Sequence, residues 1–574
     1  MTIMFRAFSN RIGCRFASSS SQSGNRFRLG FGTGIALVSF GFFGGYAWSS
    51  FTIAQNVPLF LSPAGSKTSL KDLCSPEYLN PTFALDKFNN RLSQIVEKQD
   101  MSFLQSDIDD HSFNNYTLHK PQDNERPHVI VYPRDTEHVS RIMKLCYEFG
   151  VPVIPFAGGT SIEGQFVSTR NINSDKQCEC EQQDTVTVVL DFNKYMNKVL
   201  KINADDLDCV VQPAVVAKDL NDEYLDKLGL LFGPDGAPGC EIGGQIGTSC
   251  SGTNAFRYGT MKENVVNMTV VMADGTIIKT RQRPKKSSNG YNLTGLFIGS
   301  EGTLGVVTEA TVKLHVKPVY ETISIVSFQE LNQATKMVQL LTKKGILGIN
   351  AIELLDANMM KAINFSGQTS RSWKEQPTLL FKLGSHNKRI LNELIDDIKG
   401  LSKDTNCTSC EFADTPNQQE ELWSARKSIF WSSIDYGRHL FGPDVKIWST
   451  DIAVPVSHLS TVIDDSLKDV TDAGLYGTIV GHVGDGNFHC LVMYNKENEQ
   501  KALKVIDNMS IRAIAYEGTC SGEHGIGTSK RKFLTMELGD DTISVMRRIK
   551  MALDPARILN PDKLFKIDPA DKKD

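Results

Sequence analysis

The chain has little net charge. Its 62 Lys and Arg stand against 66 Asp and Glu, a formal balance of −4 over 574 residues, which argues against a general nucleic-acid binder. The paired cysteine motifs of a zinc module are missing too. Twelve cysteines are scattered; Cys407 and Cys410 form a CxxC and Cys178 and Cys180 a CxC, but neither has the second pair a structural zinc site needs. A disulfide scaffold is not indicated, and reduced, mostly buried cysteines are expected. Internal repeats and long disordered linkers are absent as well. What remains is a globular composition, 40% hydrophobic and 22% charged, long enough for two or three domains.

Acidic residues are wholly missing before Asp72, whereas Arg6, Arg11, Arg15, Arg26 and Arg28 are present. Phe5, Phe8, Ile12 and Phe16 recur at spacings of 3, 4 and 4, one face of an amphipathic helix, and a Ser-rich stretch follows. That combination reads as a mitochondrial presequence over 1–28. Leu29–Trp48 then runs without a charge; at about 1.5 Å per residue it just crosses a bilayer core of about 30 Å. The reading is an inner-membrane anchor, with removal of the whole segment on import as the alternative. Basic residues ahead of the span predict a matrix-side N-terminus and a body in the intermembrane space.

The body divides by pattern. Residues 52–110 are polar and helical in character. From 127 onward short strands alternate with capped helices: PHVIVYP, the helix DTEHVSRIMKLCYEFG ending at Gly150, VPVIPFAGGTS, TVTVVLDF, LDCVVQPA, the helix AKDLNDEYLDKLGL (217–230), VVNMTVVMADGTII and LGVVTEATVKLHV. After 318 the pattern becomes an α+β layer structure, an antiparallel sheet flanked by helices. The expected division is 111–318 for one domain and 319–566 for the second.

Glycine is abundant (45 residues) and concentrated between 233 and 305. PFAGGTS (155–161) follows a strand, and glycines there let backbone N–H groups approach an anion. The loop is neither GxGxxG nor GxxxxGK[ST], so neither a Rossmann site nor a P-loop is supported. GPDGAPGCEIGGQIGTSCSGTNAFRYGT (233–260) has hardly a large side chain, as suits a wall against a flat, extended ligand. FIGSEGTLGVVTEATVKL (297–314) is a third glycine-rich entry to a strand.

In order and spacing these three segments resemble the FAD-binding domain of the vanillyl-alcohol-oxidase/PCMH flavoprotein superfamily, over roughly 110–566. The resemblance implies an α+β protein: a PCMH-type FAD-binding domain of two α/β subdomains plus an antiparallel-sheet α+β cap domain. It further implies that Ala157, Gly158, Gly159, Thr160 and Ser161 hold the pyrophosphate. Pro234, Gly243, Gly244, Ser251, Gly252, Asn254 and Tyr258 would line the flavin, with Glu301, Gly302, Gly305 and Val307 near the adenosine half. Members that attach flavin through the first loop carry His after the glycine pair; Thr160 stands there, so non-covalent FAD is expected.

GHVGDGNFH (481–489) brackets a small-residue turn with two histidines. If GDGN turns, His482 and His489 meet at the hairpin base, whereas on one unbroken strand a separation of seven would put them on opposite faces. EGTCSGEHGIG (517–527) adds Glu523 and His524 in a second glycine-rich loop. Two histidines and a carboxylate are a common ligand set for a divalent metal with an open position, and the leftover His524 suits a general base. Arg426 in ELWSARKSIFW offers a carboxylate clamp, or is an ordinary helix-surface arginine; Lys446 offers weaker support.

These motifs resemble the FAD- and metal-dependent D-2-hydroxyacid dehydrogenase branch. The resemblance implies that His482, His489 and Glu523 bind zinc or manganese, that His524 is the base and that Arg426 grips a substrate carboxylate. D-lactate is the implied substrate and cytochrome c the implied acceptor, with D-2-hydroxyglutarate oxidation in the matrix, or a non-catalytic flavin-binding membrane scaffold, as alternatives. NINSDKQCECEQQD (171–184) departs from the pattern as a surface insertion.

Overall fold

The structure, a computed structural model, describes residues 76, 78, 79, 81–114, 117, 121, 125–168 and 185–567. The expected presequence, membrane span and 171–184 insertion lie outside these residues. Among the described residues no helix is long and apolar enough to cross a membrane.

Asp135 accepts the backbone N–H of His138 at 2.7 Å, and Gly150 ends the same helix at φ 65°. These caps delimit the helix Thr136–Phe149 as the sequence predicts. It links β2 (Val129–Val131), which pairs antiparallel with β1 (Met101–Ser102), to β3 (Val153–Phe156); β4 (Val188–Asp191) lies between β2 and β3, parallel to both. Parallel neighbours need such a crossover. The helices Thr136–Phe149 and Pro81–Ile95 bury Val139, Ile142, Phe88 and Leu92 against this sheet.

The next sheet is antiparallel throughout. β5 (Val199–Asn203) and β6 (Asp208–Val211) lead to the expected helix over 217–230, which starts as an α-turn, widens to a π-helix at Leu220–Leu225 and stops at Gly229. In the wide turn Asn221 bonds both backbone groups of Phe232. After the short β7 (Leu230–Leu231), β8 (Val265–Val271), β9 (Ile277–Lys279) and β10 (Val306–Lys313) complete the order β5-β6-β10-β8-β9; β11 (His315–Val316) pairs β7.

The third sheet has eight strands: β12 (Tyr320–Ser327), β13 (Ile349–Leu355), β14 (Thr378–Ser385), β15 (Ser409–Phe412), β16 (Lys446–Ser449), β17 (Ile452–Ala453), β18 (Tyr476–His482) and β19 (Asn487–Tyr494). The order is β15-β12-β14-β13-β18-β19-β16, with β17 pairing β19, and every pair is antiparallel. One face packs on helices Leu331–Lys344, Lys388–Asp404, Leu459–Asp472 and Glu499–Ala515. The other packs on Ala357–Ser366 and Pro416–Phe441. The chain then returns to the first sheet: Val153 N–H donates to Ile558 O at 2.7 Å and Asn560 N–H to Val153 O at 2.9 Å. The eight described cysteines are all free, four of them buried.

Candidate functional site

A cleft opens where β3 ends. Its wall includes Ala157, Gly158, Gly159, Thr160 and Ser161, then Gly243 and Gly244 of the helix Ile242–Thr248, and Glu301, Gly302, Gly305 and Val307 before and within β10. The absence of a side chain at 158 has a steric cause, because a Cβ there would fall 2.7 Å from Gly239 O. Thr160 Oγ1 lies 3.3 Å from Cys240 Sγ. The other expected flavin residues do not line this cleft. Pro234 is buried; Asn254 and Tyr258 border a separate cavity beside β14 and the helix Pro416–Phe441. Ser251 and Gly252 reach Glu523 instead, donating to its Oε2 from Oγ at 2.7 Å and from N–H at 2.8 Å. Sequence reasoning missed Glu241 and Gln245, which also line the cleft; burial first, and Asp191 next, push the Glu241 carboxyl up to about 8.

The histidine hairpin differs slightly from the expected turn. Val483–Gly486 makes it, not GDGN, and Asn487 begins β19, where its amide donates to Asp451 Oδ1 at 2.9 Å. The register pairs Val480 with His489. His482 therefore shares a sheet face with His489, and their rings stand 5.5 Å apart.

Each imidazole is aimed by a partner on its far side. His489 Nδ1 lies 2.8 Å from Thr450 O; a carbonyl only accepts, so Nδ1 carries the proton. Its Nε2 faces Glu523 Oε1 at 3.3 Å. His482 directs Nδ1 to Glu353 Oε1 at 2.7 Å and Nε2 to Glu523 Oε1 at 3.2 Å. Ser251 and Gly252 occupy Glu523 Oε2, leaving Oε1 to the histidines. One donor atom from each of His482, His489 and Glu523 lies within 4.8 Å of the others, a grouping that could hold a metal ion. Burial opposes charge on both sides, yet Glu353 and Glu523 raise the His482 imidazole well above its usual value, and His482 holds Glu523 well below the carboxylate range.

His524 stacks on His489 with ring centroids 5.0 Å apart and planes 15° apart. Its side chain keeps 21% of its surface exposed. Burial lowers its pKa, against the opposing pull of Asp451, so the ring is neutral near neutral pH. Nδ1 is buried without a hydrogen bond, 4.0 Å from Glu163 Oε1.

The loop that carries Glu523 and His524 is stitched to both halves of the molecule. Asp451 Oδ2 accepts from Glu523 N–H at 2.9 Å, His524 N–H at 2.7 Å and Ser521 Oγ at 2.8 Å. On the cleft side, Gln165 Nε2 donates to His524 O at 2.7 Å, while Glu301 accepts the N–H groups of Ile526 and Gly527 at 2.6 and 2.9 Å. Gln165 and Glu301 both line the cleft, so the histidine cluster adjoins it.

Arg426 is no surface arginine. It is 18% exposed, and Nε lies 2.6 Å from Glu353 Oε2. Lys446 stays away from this cluster, on the edge strand, ion-paired with Glu499. Glu353 and Asp451 escaped the sequence reading. The available signal was weak: a single carboxylate inside the fully buried strand INAIELL, and an aspartate just before a two-residue strand.

A model of the FAD binding domain matches residues 127–281, and one of the C-terminal domain of FAD linked oxidases matches 317–564. The chain is 50% identical over 506 residues to the mitochondrial D-lactate dehydrogenase (cytochrome) of Kluyveromyces lactis, covering 88% of this chain and 85% of the relative. It is 48% identical over 513 residues to mitochondrial D-lactate dehydrogenase (cytochrome) 1 of Saccharomyces cerevisiae, covering 89% and 85%. The solved 4-ethylphenol oxidase from Gulosibacter chungangensis superposes with a TM-score of 0.67 over 87% of this chain and 100% of that one; at 16% identity this likeness bears on the fold alone.

Proposed function

Since this chain belongs to the FAD-linked oxidase family, together with the mitochondrial D-lactate dehydrogenases (cytochrome), we propose that it oxidises D-lactate to pyruvate and passes the electrons to cytochrome c. The observation that carries this reading is the His482, His489, Glu523 and His524 cluster beside the glycine-walled cleft.

Both non-protein groups fit the residues present. The close approach of Gly158 to Gly239 leaves backbone, not side chain, to face an FAD pyrophosphate. For a metal, two imidazoles and a carboxylate converge with one donor atom each within 4.8 Å of one another, a donor set suited to a divalent cation. FAD, when bound, supplies the acceptor for the two electrons that leave with the C2 hydrogen. A zinc or manganese ion held by His482, His489 and Glu523 supplies Lewis acidity toward the C2 hydroxyl.

The protein side chains do the rest. Arg426 grips the lactate carboxylate and fixes which face of C2 is presented. His524 takes the hydroxyl proton; with Nδ1 buried against Glu163, Nε2 is the nitrogen that meets it. The C2–H and O–H bonds break and a C2 carbonyl forms. We read 111–318 as the FAD half and 319–566 as the substrate half. Residues 1–28 act as presequence and 29–48 as an inner-membrane anchor, with the body in the intermembrane space.

Anaerobic flavin bleaching by D- and L-lactate, glycolate and D-2-hydroxyglutarate, with and without chelator, tests the chemistry. D-lactate is expected to bleach fastest, and complete metal removal to abolish the reaction. Faster reduction by L-lactate, or bleaching indifferent to chelation, refutes it. Carbonate extraction and protease access in mitoplasts test the location; a protein extracted as soluble matrix material refutes that part.

A further inference from the structure

The carboxylate that joins the two sides of the site is Glu353. It stands on β13 in a strand whose seven residues are all buried, and its own side chain has no exposure. The surroundings do not call for a charge: Leu355 and Leu380 beside it belong to an apolar cluster with Val480 and Leu422. A buried carboxylate persists only when its oxygens are matched. Here the two oxygens are divided between two functions. Oε1 lies 2.7 Å from His482 Nδ1 and Oε2 lies 2.6 Å from Arg426 Nε. The first contact holds Nδ1 on Glu353 and so directs Nε2 toward Glu523. The second uses the arginine's Nε and leaves the terminal amino pair of the fork to meet another carboxylate.

Resting on the reading of His482, His489 and Glu523 as metal ligands, we infer that Glu353 is a positioning residue serving metal and substrate together. One carboxylate fixes the orientation of the His482 ring and aims the Arg426 fork at the substrate carboxylate. Metal affinity and substrate affinity are thereby coupled through a single side chain, and the coupling is reciprocal. An ion pair with a structural role alone would alter stability and leave both affinities unchanged.

Glu353→Gln tests this in the full-length holoprotein. It matches the volume but sets an NH2 group against one of the two N–H donors. Zn2+ affinity, measured by competition with a chromophoric chelator, is expected to fall about 10–100-fold. At saturating Zn2+, the D-lactate concentration for half-maximal flavin reduction is expected to rise about tenfold, the loss of a charged hydrogen bond, with FAD content unchanged. Wild-type values for both quantities overturn the inference. Should the variant lose FAD, Arg426→Gln replaces it: freeing Glu353 and removing a nearby positive charge is expected to tighten Zn2+ several-fold, and unchanged Zn2+ affinity overturns the coupling. A wild-type protein that binds Zn2+ no better than His482→Ala defeats the metal reading and this inference with it. Tight binding lost in His482→Ala but kept in Glu353→Gln defeats this inference alone.

Discussion

The rings of His524 and His489 lie nearly parallel, yet their nitrogens face different partners. His489 is pinned by the Thr450 carbonyl on one side and faces Glu523 on the other. His524 is anchored through its backbone, by Asp451 and Gln165, and its ring accepts no such fixed assignment. Removing the His524 ring should therefore spare the binding sites. His524→Ala is expected to keep FAD and metal at full stoichiometry while flavin reduction slows by about 10²–10⁴-fold; rapid-mixing absorbance and metal analysis on one sample check both halves. At this scale the sequence was legible where function demands an unusual residue pattern. Two histidines around a glycine turn and a Glu-His pair among glycines stand out. Glu353 and Asp451 did not, because their importance comes from long-range partners: Glu353 meets His482, and Asp451 meets Ser521, Glu523 and His524. No local spacing encodes those meetings.

Among the elements, the β18–β19 hairpin sets the geometry of the His482–His489 pair, and its turn is sterically tight. Gly486 has φ 78°, and a Cβ there would collide with Val454 O. Gly486→Ala is expected to cost at least about 1–2 kcal/mol from the left-handed backbone alone, visible as a lower denaturation midpoint together with weaker metal retention. The hairpin is also tied to its neighbour by Asp356, which caps the helix Ala357–Ser366 at Met359 N–H (2.8 Å) and accepts Ile479 N–H at 3.0 Å. Burial pushes this carboxyl up to about 7, outweighing the hydrogen bonds that pull it down. The folded state thus holds a proton that the unfolded chain releases near pH 4. The stabilisation is full below that value and is lost as pH rises to about 7. Relative to Asp356→Asn, the wild-type protein should lose stability between about pH 4 and 7 and level off above, as urea titrations across that range would record. Strands and capped helices were readable from alternation and from Asp135 and Gly150. The turn boundary and the π-helical stretch were not, since Asn487 and Asn221 are fixed by distant backbone.

Across the whole molecule, the C-terminal segment closes the cleft. Lys550 is buried and donates to Thr303 O and Leu559 O, each at 2.7 Å, and to Asp554 at 2.5 Å. Asn560 lines the cleft and donates to Gln165 O and Glu301 O at 2.9 and 2.7 Å. Lys550→Met strands a buried carboxylate, an effect of about 3–5 kcal/mol; the expected result is a lower melting temperature and faster FAD loss on gel filtration. Thr160 at the position after the glycine pair implies a second whole-protein observation: acid precipitation should leave all the flavin in the supernatant, and flavin remaining on the pellet would contradict it. The glycine-rich segments made the wall of the cleft legible, and the change of pattern near 319 marked where the eight-stranded antiparallel sheet begins. The return of the chain to β3 was not, because Ile558–Asn560 carry no strand pattern of their own.

Glu163 O accepts from Thr528 N–H at 2.8 Å across 365 residues, and Glu301 accepts from Ile526 across 225. Contacts of such separation form late, after shorter loops have closed. The loop 517–527 therefore joins the cleft wall only once residues 225 and 365 positions apart in the chain have met. A chain ending before this loop would own most of the cleft wall yet lack His524 and the clasp that holds it, and on the proposed reading it is expected not to be reduced by D-lactate.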